Sequence, residues 1–140
     1  MRSRRGQALI ETAITVPVLM VLLLGFLLVM IVAQAYVDLD TATSLAAASA
    51  VTAPVDNPGQ SHDFALRTYN GTLRRSSYLD PGGLEGCGAY LRAGDTVQCT
   101  GHATILISRT PMAILQPLNA NWQVPITATA TGYSSPYRST

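Results

Sequence analysis

The chain has 140 residues, a formal net charge of +1 at pH 7, 12% charged residues and 48% hydrophobic ones. Such a length holds one small domain beside an apolar segment, and the near-neutral total gives no sign of a nucleic-acid partner. All nine basic residues are arginines, so charge is informative here by position. Arg2, Arg4 and Arg5 precede Gly6; Gln7 to Ile10 follow, then a lone Glu11, and the next charged residue is Asp38. Residues 12–37 are thus 26 uncharged, mostly apolar positions. A bilayer core of ~30 Å needs only about 20 helical residues, so this run is long enough to span. Arginines before it and Asp38 and Asp40 after it put the N-terminus in the cytoplasm and the remainder outside by the positive-inside rule. The competing reading is a secretory signal cleaved after Ala33 or Ala35. A signal's apolar core is typically ~7–15 residues, shorter than this run.

Helical character continues past the apolar run. No Gly or Pro occurs between Phe26 and Ala53, and the stretch from Ala33 to Ala50 is rich in alanine. Val32, Tyr36, Leu39 and Leu45-Ala46 recur at helical spacing. Pro54 and Asn57-Pro58-Gly59 stop the helix. The expectation is one helix over 7–52, a rod of roughly 68 Å at 1.5 Å per residue, with residues 12–37 in the membrane. Pro17 removes a backbone donor and clashes with the preceding turn, which predicts a kink there.

Residues 53–140 read as a small outer α+β domain. Residues 61–76 predict a short helix with Phe64, Leu66, Tyr69 and Leu73 on its apolar side, and Leu79 to Gly88 a turn-rich loop around Asp80-Pro81-Gly82-Gly83. Val97 to Ser108 alternates, with Val97, Cys99, Ala103, Ile105 and Ile107 on one face. Trp122 to Ala130 alternates again, with Trp122, Val124, Ile126, Ala128 and Ala130 together. Both are strand signals with one buried face. Pro125 marks an edge position or a bulge. Tyr90 to Arg92 suggests a third strand joined through Gly94-Asp95, and a helical turn is expected after Pro111. The fold class is α+β: a long N-terminal helix with a small antiparallel sheet packed on its outer half, about residues 35–52.

Few residues offer chemistry. His62 and His102 are the only histidines, and with two cysteines they lack the spacing of a zinc set. Each is read as a surface residue, at a helix start and on a strand face. No Ser/His/Asp arrangement with a nucleophile elbow is present, and the Gly82–Gly88 stretch opens no helix, so it is no phosphate cradle. Asn70-Gly71-Thr72 fits a glycosylation sequon, a tripeptide common by chance, and Arg74-Arg75 reads as a solvated pair. Neither catalysis nor a cofactor or metal is expected. Cys87 and Cys99 lie in the outer part, where disulfides persist; one bond would close a loop of about a dozen residues and stabilise by ~3 kcal/mol. Two buried thiols are the alternative.

Glu11 has two readings. At the headgroup level it favours the helix N-terminus through the macrodipole. Deeper in a bilayer, a carboxylate costs about 2.5–3.5 kcal/mol at the helix centre.

The run Arg4-Arg5-Gly6-Gln7-Ala8-Leu9-Ile10-Glu11, followed by Ala13, Val16-Pro17-Val18-Leu19 and a Leu-rich stretch to Gly25, resembles the TadE-like proteins. These are minor pilins, or pseudopilins, of the tight-adherence (Tad, or Flp) branch of type IV pili. Ile126 to Thr131 is similar to the family's last strand. The family usually carries an aromatic directly after the acid, where this chain has Thr12. The resemblance implies that residues 1–6 are a leader cut by a prepilin peptidase between Gly6 and Gln7. Glu11 would then pair with the new N-terminal amine of a neighbouring subunit. The implied partners are other pilins, the Tad assembly machinery, the peptidase, and membrane lipid before assembly. The implied work is priming, tip formation or adhesion, with a main fibre subunit as an alternative. The reading from another class is an unprocessed, permanently membrane-anchored binding module.

Overall fold

The computed structural model describes residues 3–52, 58–88, 94–110, 112–113 and 122–135, with side chains of the first helix from Leu9 onward. The chain divides into two compact units, Met1–Ala33 and Gln34–Thr140. One helix, α1 (Ser3–Thr52), contributes to both. It begins four residues before Gln7, within the segment read as a leader. Gly6 alone does not stop it: one glycine costs a helix about 1 kcal/mol relative to alanine, and the arginines beside it are good helix formers.

In the first unit α1 runs through Pro17 without a break. Its large apolar side chains stand exposed, Leu22 at 64% and Phe26 at 65%. This is the one helix among the described residues long and apolar enough to cross a membrane; its most apolar 18-residue window has a mean hydropathy of 3.0. An apolar surface this continuous calls for lipid or other helices around it.

The second unit builds a core on the outer part of α1. Ala35, Leu39, Ala42, Thr43, Ala46, Ala47 and Ala50 are buried, a stripe at three- and four-residue spacing. Tyr36 and Leu45, expected on that stripe, are instead about half exposed. Helix α2 (Pro58–Leu73) follows. It starts at Pro58 rather than Ser61, since proline is suited to a first helical turn. Its buried positions, Ser61, Ala65, Tyr69 and Leu73, recur every fourth residue. Phe64, expected among them, is exposed.

Three antiparallel strands lie in the order β1 (Leu79–Glu85), β2 (Thr96–Leu106), β3 (Gln123–Tyr133). β2 matches its alternation: Val97, Cys99, Gly101, Ala103 and Ile105 are buried and the residues between them are not. Ile107, expected to extend it, belongs to a 3-10 turn closed by Thr110, whose N–H and hydroxyl both donate to the Ile107 carbonyl. On β3, Ile126 and Ala128 are buried, while Val124 is exposed at 39% and Trp122, just before the strand, at 56%. β3 is an edge strand in unbroken register with β2, which suits Pro125.

The main correction concerns β1. The segment read as a turn-rich loop is a strand, and the expected strand at Tyr90–Arg92 and most of the connection after Pro111 lie outside the described residues. Pro81 is tolerated because β1 is an edge. Between Pro81 and Gly83 the register shifts, leaving Gly82 as the extra residue of a bulge. Leu79 and Leu84 are five apart and in a regular strand would face opposite sides. The bulge adds one residue of phase, so both are buried, opposite Ile105 and Gly101.

Candidate functional site

The positions of interest fall in each unit separately. In the first, Glu11 is an exposed position of α1, just over two turns from the start of the helix. Gln7 and Glu11 are four residues apart, so their backbones lie one turn, roughly 6 Å, apart along the axis. Near Pro17, Val16, Leu19, Met20, Leu23 and Leu24 line an apolar depression of ≈ 330 Å³. Such a surface suits lipid or a second apolar helix and offers no polar group for catalysis.

In the second unit, helix α1 and the sheet meet through small residues. An added Cβ at Gly132 would lie 2.7 Å from the Ala47 carbonyl oxygen. One at Gly101 would collide with Thr43 Oγ1 and lie 2.8 Å from Tyr69 Cε2. Both glycines are therefore fixed by close approach of a helix, and the alanine-rich stripe is what permits that approach. Tyr69 ties α2 to the sheet by donating its hydroxyl to the His102 carbonyl at 2.6 Å. Burial pushes its phenol up to about 12.

Cys87 and Cys99 are both fully buried, with Cα atoms 4.7 Å apart and sulfurs at disulfide-bonding distance. They join the chain just beyond β1 to β2. The histidines stay apart in role. His62 packs near Gly88, and His102 Nε2 stands 3.7 Å from Glu85 Oε2, too far for a hydrogen bond. No group of three metal-ligating side chains occurs among the described residues.

Asp38, the first charge after the apolar run, accepts a hydrogen bond from Tyr78 at 3.1 Å. Burial raises the Tyr78 phenol above its ordinary range, and the Asp38 carboxylate adds to that. Asp38, Thr41, Thr72, Arg75 and Ser76 line a polar cleft of ≈ 200 Å³. Sequence reasoning missed this cleft, because Asp38 and Arg75 are brought together only by the return of α2.

Residues 6–48 match the family model described as TadE-like protein. The N-terminal segment is thus similar to the TadE-like proteins. The matched TadE-like region covers the Gly6–Glu11 motif, the apolar run and most of the buried stripe. The match spans less than half of the chain. Comparison with curated proteins and with solved structures returns no match.

Proposed function

We propose that this chain is a minor pilin of a Tad-type pilus, inserted with its N-terminus in the cytoplasm and cut between Gly6 and Gln7 by a prepilin peptidase. The observation that carries this reading is the TadE-like match beginning at Gly6 and running through Glu11 into a helix with an exposed apolar surface. Cleavage removes Arg2, Arg4 and Arg5 and creates an α-amine one helical turn from Glu11. In a water-excluding bundle an isolated amine or carboxylate is costly, and pairing the amine of one subunit with Glu11 of its neighbour offsets that cost while setting axial register. The apolar half of α1 serves first as anchor and then as bundle core, and the Pro17 region adapts the helix to that packing. The outer domain, closed by the Cys87–Cys99 bond, is presented at the surface or tip for assembly or adhesion.

The pairing role is tested with Glu11→Ala in cells that assemble the pilus. Leader removal is expected to survive while the amount of this chain in sheared filaments falls at least tenfold. Incorporation at the parental level would refute the pairing role.

A further inference from the structure

We propose that the cleft between α1 and the turn after α2 binds the headgroup of a zwitterionic, primary-amine phospholipid from the outer leaflet, with Arg75 meeting the phosphate and Asp38 the ammonium. The proposal rests on the membrane-anchored state described above.

Its position is set by the helix itself. Asp38 directly follows the 26-residue uncharged run, so in a bilayer it stands at the outer polar boundary. Next to it along α1, Tyr36 and Val37 are exposed at 49% and 65%. Tyrosine at this level is typical of membrane–water interfaces. The folding of α2 back onto α1 brings Arg75 and Ser76 to the same level, where Tyr78 bonds Asp38.

Its chemistry is that of a dipolar ligand. An acid and a base line one cleft, yet Arg75 forms no ion pair among the described residues. A guanidinium offers paired donors that match two phosphate oxygens. Asp38 gives Oδ2 to Tyr78 and has Oδ1 to accept from an ammonium. Thr41 and Thr72 donate their hydroxyls to the Val37 and Thr68 carbonyls, which leaves their oxygens as acceptors toward the cleft. A purely anionic headgroup would meet the Asp38 carboxylate, and a choline headgroup has no N–H to donate.

The test uses the full chain in nanodiscs holding equal phosphatidylethanolamine, phosphatidylglycerol and phosphatidylcholine, with retained lipids counted by native mass spectrometry. Phosphatidylethanolamine is expected to be enriched at least threefold on the parent chain. Arg75→Gln should abolish the enrichment, Asp38→Asn should remove the preference over phosphatidylglycerol, and Arg74→Gln, outside the cleft, should leave it unchanged. Equal lipid retention by the parent and Arg75→Gln would overturn the proposal. So would saturable binding of soluble phosphoethanolamine to the detergent-solubilised chain without enrichment of the lipid, which would assign the cleft to a free phosphate ester. Flotation of the chain with vesicles is measured alongside: failure to float would sink the anchored state itself, whereas flotation without lipid discrimination would sink only the headgroup site.

Discussion

Gly101→Ala tests the closest packing in the outer unit. The added methyl would collide with Thr43 Oγ1 and lie 2.8 and 3.3 Å from Tyr69 Cε2 and its hydroxyl oxygen. Thr43 and Tyr69 are both fully buried. Overpacking of this kind costs about 1–3 kcal/mol. Displacing the Tyr69 hydroxyl from the His102 carbonyl adds roughly 1 kcal/mol. A loss of about 2–4 kcal/mol, at roughly 4–8 °C per kcal/mol for a domain of this size, lowers Tm by on the order of 10–30 °C. Circular dichroism of the full chain in detergent, followed in the sheet signal, reads the change. Thr43→Ala removes the colliding oxygen, so Gly101→Ala combined with Thr43→Ala should melt higher than the sum of the two single losses allows. An unchanged Tm for Gly101→Ala, or strict additivity in the double variant, would refute the close approach of α1 to the sheet.

Two other outcomes follow from the same core. Tyr69→Phe should cost about 1 kcal/mol at neutral pH. Because the Tyr69 pKa is raised from 10.0 to about 12, its neutral form is favoured by folding. That contribution is fully present below pH 10 and is lost as pH rises toward 12. The parent should therefore lose more stability than Tyr69→Phe across that interval, and parallel losses would argue against a buried phenol. Protein isolated without reductant should gain two mass units on reduction, and Cys87→Ser with Cys99→Ser should lower stability by ~3 kcal/mol. No mass change on reduction would assign the pair as thiols.

The long helix and two of the three strands were legible because their signals are local. An uncharged run with flanking arginines, and strict alternation on β2, need no tertiary context. β1 was not legible, since Asp80-Pro81-Gly82-Gly83 carries the composition of a turn. Only pairing with β2 makes it a strand, and only the bulge at Gly82 brings Leu79 and Leu84 to one face. The buried stripe of α1 was misplaced for a related reason. Tyr36 and Leu45 look like core by hydrophobicity, but Gly101 and Gly132 draw the helix so near that alanine and threonine fill the interface. In α2, likewise, Ala65 takes the place that Phe64 was expected to hold. Glu11 was visible as an oddity in the sequence, whereas the Asp38–Tyr78 bond and the cleft beside Arg75 join residues about forty positions apart and carry no local signature.

The most direct measurement is the mature N-terminus of the chain from its native membranes, in cells with an active prepilin peptidase, by intact mass and N-terminal sequencing. A chain beginning at Gln7 is the expected result. Retention of Met1 to Gly6 would contradict the pilin role and leave a permanently anchored protein.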